Sequence, residues 1–249
     1  MSRVIPIAAV GGRATAVAGI QVVQHDSAEY LGLIEDHLEG RGMRFHYCRP
    51  FAGKTPLPRT EALGDGLILL GGGPWGSAGT RDVPTLKEEI ALAEAALSRG
   101  KPVVGIGLGA QILAIAAGGR AEASPFVFEV GKAKRTTPHA LNGYLPQEYP
   151  LAVYMRDWAV PPAQAKVLAR DDRGRPALWQ LGERAFGFAG HPGLKVAMVE
   201  DLVMEFEEAP PGVEAGLVAL RAVQRALEDA LVPIMTGLAQ LTGWVRAPA

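Results

Sequence analysis

Residues 101–117 read KPVVGIGLGAQILAIAA, and their order decides the fold. Residues 102–106 form a short apolar, β-branched run. Gly107-Leu108-Gly109 follows at once, and then Gln111, Ile112, Leu113 and Ile115 recur at helical spacing. A buried strand, a sharp glycine turn and a helix is the reading. In α/β folds such a turn sits at the carboxyl end of the strand, where the next helix points its free N–H groups at a ligand. In hydrolases built this way the turn carries the nucleophile on a strained elbow. Here the turn residue is Gly107, which has no side chain to attack with.

Outward from this stretch, the residues before it alternate strand and helix. Residues 20–24 (IQVVQ) predict a first buried strand, and 30–39 a helix with Leu31, Ile34 and Leu38 on one side. Residues 43–48 predict a second strand and 66–70 (GLILL) a third, which runs into Gly71-Gly72-Gly73-Pro74. A helix opens after Val83-Pro84-Thr85, with Leu86, Ile90, Leu92 and Leu97 expected on its buried side. This order indicates a largely parallel sheet covered on both faces. After Gly118-Gly119 the pattern changes to short strands, at 126–130, 132–136, 152–154, 166–169, 177–180 and 185–189, which predicts a more antiparallel region. A helix is expected over 196–206.

Composition bounds the function. The 249 residues carry a net charge of −1, with 48% hydrophobic and 20% charged residues. That balance is globular and gives no reason to expect nucleic acid or anionic lipid as partner. Cys48 is the single cysteine, so neither an intramolecular disulfide nor a Cys-rich metal site can form. No apolar run approaches the ~20 residues that span a bilayer, and a cytoplasmic setting is the expectation. Residues 1–18 read as an N-terminal extension. Their faint likeness to a signal peptide is broken by Pro6 and Gly11-Gly12-Arg13. Residues 209–249 read as a C-terminal helical tail behind a Pro-Pro-Gly hinge. Leu217, Leu220, Val223, Leu227, Leu231, Met235, Leu238 and Leu241 make an amphipathic stripe, with a bend expected at Pro233. The stripe suits either the chain's own domain or a second subunit.

Four segments now carry a resemblance: Gln24-His25, Gly72-Gly73-Pro74-Trp75, residues 102–111, and residues 187–192, joined by Glu129-Val130-Gly131. In this order and spacing, residues 19–208 resemble class I glutamine amidotransferase domains. The resemblance implies a flavodoxin-like three-layer α/β/α fold. It also implies a Cys-His-Glu triad that hydrolyses the side-chain amide of glutamine through a γ-glutamyl thioester. Carried over, the cysteine position is Gly107, the histidine position is His191 and the glutamate position is Gly193. The oxyanion elements, Gly72, Gly73 and the Leu108 N–H, are present, as is Gln111, which in the family helps hold substrate. A Trp-His pair common in close relatives is replaced by Tyr154-Met155. No intact triad remains, and no Cys-dependent glutaminase activity is expected.

No substitute nucleophile stands out. Cys48 reads as a small buried hydrophobe, and Ser77 and Ser124 have no evident base. His25 and His191 both end strands, but two histidines without a paired carboxylate do not make a metal site. No metal or cofactor is implied. Three functions follow. The first is a non-catalytic structural or regulatory subunit, partnered by a metabolic enzyme or by a second copy of itself through the tail. The second is a module binding a small amide or carboxylate. The third is a hydrolase of altered chemistry.

Overall fold

The protein is described here from a computed structural model, which describes residues 19–53 and 56–245. The N-terminal extension expected over 1–18 lies outside them. In chain order the elements are β1 (Ile20–Val23), α1 (Ile34–Glu39), β2 (Phe45–Cys48), β3 (Gly66–Leu69), α2 (Leu86–Ser98), β4 (Val103–Ile106) and α3 (Leu108–Ala116). They continue with β5 (Arg120–Glu122), β6 (Val127–Arg135), β7 (Glu148–Met155), β8 (Trp158–Val160), β9 (Lys166–Asp171), β10 (Pro176–Leu181), β11 (Ala185–Phe188), α4 (Val196–Glu205) and α5 (Val213–Thr242).

Nine strands form one sheet in the order β2-β1-β3-β4-β11-β10-β9-β6-β7. From β2 to β11 neighbouring strands are parallel. From β11 to β7 they are antiparallel. The antiparallel region expected from sequence is thus a continuation of the same sheet. The central strands are buried along their whole length, as parallel strands with both faces covered must be. Alternate residues serve opposite faces. Val22, Ile68 and Val104 pack with α1 and α5, and Val23, Leu67, Leu69 and Val103 pack with α2 and α3. This is the three-layer α/β/α arrangement.

Several local expectations are corrected. The helix expected from residue 30 begins only at Ile34, because Gly32 adopts φ 60, a left-handed conformation that cannot start a helix. Two strands expected over 126–136 are one strand, β6, running through Gly131. β5 and β8 pair as a separate two-stranded ribbon; β5 is short and two-thirds charged, so periodicity could not reveal it. On α2 the fully buried side is Glu89, Leu92, Ala93 and Ala96, while Leu86, Ile90 and Leu97 are half-buried.

The tail is one helix of 30 residues with Pro233 inside it. Its stripe faces its own chain: Leu220, Leu227, Leu231, Ile234, Met235 and Leu238 are buried, and α5 lies against β6, β7, α1 and α4. Each such side chain contributes roughly 1.5–3 kcal/mol relative to exposure. The tail therefore serves as the cover of the sheet, and its apolar stripe is not available to a second subunit. Beyond it, Trp244 is buried and its indole N–H donates to the Asp65 carbonyl at 3.1 Å.

Candidate functional site

Strand β4 ends at Ile106, and Gly107 makes the turn into α3 with φ 54 and ψ −114. Its N–H donates to Phe188 O on β11 at 2.9 Å, and its carbonyl accepts from Ala110 and Gln111. The neighbouring strand and the helix together hold it in place. A non-glycine residue here would cost roughly 1–3 kcal/mol of backbone strain. Space is not the constraint, because a Cβ on Gly107 would meet only Gly71 Cα, at 3.5 Å. The elbow has the shape and the room for a nucleophile but no reactive atom.

The Gly72-Gly73 backbone beside it is already engaged. The Gly73 N–H donates to Glu29 Oε2 at 3.0 Å, and the buried Glu29 carboxyl lies where a Cβ on Gly71 would be, 1.7 Å from Oε1. The backbone to which the resemblance assigns an oxyanion thus holds the chain's own carboxyl. The Leu108 N–H stands in the first turn of α3, where no intrahelical acceptor exists.

Gln111 is fully buried and its amide is committed. Ser77 Oγ donates to Oε1 at 2.7 Å, and Nε2 donates to the Arg156 and Asp157 carbonyls at 2.7 and 3.3 Å. The Asp157 carboxylate accepts from the Ser77, Ala78 and Ser124 N–H groups. Gln111 and Asp157 therefore tie the elbow helix to the loops on either side of it.

His191 follows β11, the strand next to the elbow. Its Nε2 lies 2.8 Å from Tyr30 O and its Nδ1 3.1 Å from Gly193 N. A carbonyl can only accept and a backbone N–H can only donate. The ring is therefore the neutral tautomer with the proton on Nε2, and neither nitrogen is left to take a proton from a nucleophile. Burial lowers its pKa to about 4, against the pull of the Tyr30 carbonyl. Gly193 is packed shut: a Cβ there would lie 2.9 Å from Ile34 Cγ1 and 3.1 Å from Leu31 O.

The glutamine amidotransferase class-I family model matches residues 27–196. The chain belongs to this family. A GMP synthase [glutamine-hydrolyzing] from Aeropyrum pernix is 34% identical over 150 residues, which is 57% of this chain but only 28% of that protein. A glutamine amidotransferase from Methylobacillus flagellatus shares the fold with a TM-score of 0.77 at 22% identity, covering 94% of this chain and 98% of that one. One from Thermotoga maritima gives 0.76 at 19% identity, covering 90% and 98%.

Within this amidotransferase fold lies a buried cluster that sequence reasoning missed. His25 Nδ1 is 2.7 Å from Gly71 O and Nε2 is 2.7 Å from Glu89 Oε2. Both ring nitrogens face acceptors, so the ring is the imidazolium, and His25 does have a paired carboxylate. Burial pushes its pKa down, but Glu89's charge and hydrogen bond outweigh this and raise it to about 9. Thr85 Oγ1 holds the other Glu89 oxygen at 2.5 Å. Asp26 Oδ1 accepts from the Ala28 and Glu29 N–H groups at 3.0 and 2.7 Å. Burial raises the pKa of both Asp26 and Glu29. Asp26 Oδ2 and the Tyr154 hydroxyl are buried without a hydrogen-bond partner. The readable signal was Glu89, in register with Leu92, Ala93 and Ala96 on the buried side of α2. Among the described residues no group of three or more His, Cys, Asp or Glu is arranged to hold a metal ion. The Cys48 thiol, pushed up to about 11 by burial and then by Glu89, stays protonated and donates to Pro56 O.

The His25–Glu89 pair links stability to pH. Its histidine is raised from 6.5 to about 9 on folding. The pair's contribution is therefore fully present below pH 6.5 and is lost as pH rises through 9. Urea midpoints of the wild type should fall across pH 6.5–9, and those of Glu89→Gln should fall much less. Equal slopes for the two proteins would contradict the assignment.

Proposed function

We propose that this protein is a catalytically silent amidotransferase-family member that serves as a non-catalytic structural or regulatory subunit of a metabolic enzyme assembly. The observation that carries this reading is Gly107 at the elbow, φ 54, with no nucleophile. Two features support it. His191 has both ring nitrogens engaged by backbone, and the Gly73 N–H is taken by Glu29. The A. pernix relative, of which this chain matches 28%, motivates a partner of synthase type. With the α5 stripe covered, docking falls to the outer surface and the open edge of β2. Native pull-down from the source organism, read by mass spectrometry, should return one stoichiometric enzyme partner. A clean monomer with no partner would sink the subunit reading.

A second reading is a module for a small amide or carboxylate. It is favoured by the unpartnered Asp26 Oδ2 and Tyr154 hydroxyl, and by a cavity of about 110 Å³ between His25, Phe51, Trp75 and Thr85. Thermal shifts of the wild type and of Glu208→Ala with glutamine, glutamate and related amides test it, and no shift of either protein with any of them would remove it.

A further inference from the structure

The last turn of α4 and the residues after it form a strap against the loops that follow β1 and β3. Glu205 accepts from the Ser27 N–H and hydroxyl at 3.1 and 2.7 Å. Leu202 and Phe206 close over Gly73, where a Cβ would meet them at 3.1 and 3.0 Å. The strap then ends on Glu208, whose two carboxylate oxygens are divided between two guanidinium groups, Oε2 on Arg81 and Oε1 on Arg156.

Both arginines are built into the site. Arg81 lies over the Trp75 ring at 4.9 Å and Arg156 over Phe126 at 5.6 Å. Arg156 Nε donates to Pro74 O at 3.0 Å, and its own carbonyl accepts from Gln111. Gly76 lets the loop settle on this segment, since a Cβ there would lie 2.2 Å from Asp157 Oδ2 and 3.3 Å from Arg156 Cδ. Two guanidinium groups, Arg81 held by Trp75 and Arg156 by Phe126 and the Pro74 carbonyl, each place one N–H on a different oxygen of the same carboxylate, a pair of charge-assisted contacts suited to carboxylate recognition. Close by is the buried Tyr154 hydroxyl, which has no hydrogen-bond partner. Its ionisation is opposed by burial and then by Glu29, Asp26 and Glu208, which places it in the field of the strap's carboxylate as well as that of the buried acids.

We propose that Arg81 and Arg156 form a binding site for the carboxylate group of a small ligand, and that Glu208 is its built-in occupant. A ligand carboxylate would take the place of Glu208 on the two arginines, and release of Glu208 would loosen the strap over the Tyr154 hydroxyl. Glu208 itself fixes the ligand class, because the group already seated between the guanidinium groups is a carboxylate. An internal competitor lowers apparent affinity by the fraction of molecules in which the site is free, so removing it should unmask binding.

The inference rests on the second, ligand-binding reading, and the two can fail separately. The thermal shifts of the wild type and Glu208→Ala test whether any amide or carboxylate binds anywhere, whereas the loss of the gain in Glu208→Ala/Arg156→Ala tests this arginine pair. Calorimetric titration with succinate, at constant ionic strength, should show Glu208→Ala binding about tenfold or more tightly than wild type. The gain should vanish in Glu208→Ala/Arg156→Ala. Glu208→Gln, which keeps the side chain's volume, covers the case of an unstable alanine variant and should bind succinate better than wild type. In the wild type, saturating succinate should increase proteolytic cleavage within residues 205–212. Binding by Glu208→Ala no tighter than wild type would overturn the proposal, as would an equal gain in the double variant. A gain for inorganic phosphate without one for succinate would overturn the carboxylate assignment.

Discussion

Glu89→Ala should lower the free energy of unfolding at pH 7 by about 3–5 kcal/mol, the cost of removing one partner from a buried ion pair. Glu89 is fully buried and His25 nearly so, at 2.7 Å. Without the carboxylate, the imidazolium has only Gly71 O as acceptor and must either stay charged in an apolar setting or give up its proton. Thr85 Oγ1 loses its partner as well. Glu89→Gln should cost much less, because its amide can donate to a neutral His25 Nε2 while Nδ1–H keeps Gly71 O. Urea unfolding of the two variants checks this. A loss under about 1 kcal/mol for alanine would mean that the pair is no stronger than one at the surface.

Placing at 107 and 193 the cysteine and glutamate that the family resemblance implies should damage the protein instead of activating it. Gly193→Glu brings a Cβ to 2.9 Å from Ile34 Cγ1 and 3.0 Å from Ile34 N. The Gly193 carbonyl meanwhile holds Leu33 N, and Gly32 is packed against it. Overpacking of this kind costs ~1–3 kcal/mol, and an unpaired buried carboxylate adds several more. The double variant Gly107→Cys/Gly193→Glu should therefore express as insoluble or partly unfolded protein. Gly107→Cys alone should fold, paying only the ~1–3 kcal/mol of its backbone conformation, because its Cβ meets nothing closer than 3.5 Å. It should still release no ammonia, since the His191 Nδ1 lone pair is already used by Gly193 N. Soluble yield, urea unfolding and an ammonia assay on the three variants test these statements together. A Gly193→Glu protein as stable as its parent would refute the packing argument.

Much of the frame was legible in the sequence. Strand, glycine turn and helix over 101–117 gave β4, Gly107 and α3, because a buried parallel strand and an apolar helix leave strong periodic signals. The α5 stripe was legible too, but not what it covers: periodicity marks an apolar face without naming its partner. The polar interior was least legible. Nothing in the sequence pairs a carboxylate with His25, because Glu89 lies 64 residues away on a helix whose charged residues look like ordinary surface positions. Glu29 was not singled out either, because only the turn between β3 and α2 brings Gly73 N–H to its carboxyl. Hydrogen bonds between distant loops have no period.

Gly107 and Gly193 also tell different physical stories. At 107 the position is open, and a side chain there would face the strain of a positive φ but meet only Gly71 Cα, at 3.5 Å. At 193 Leu31 and Ile34 pack directly against the glycine, so a larger side chain is blocked by packing. Together with a histidine whose ring nitrogens are both engaged by backbone, these features support the proposal that the elbow is catalytically silent.

The decisive experiment incubates the purified wild-type protein with glutamine and measures ammonia by a coupled assay, with active fractions tracked across a sizing column. Silence of the elbow predicts no release above the protein-free blank at any enzyme concentration. Release that scales with protein concentration and elutes with the protein would contradict it.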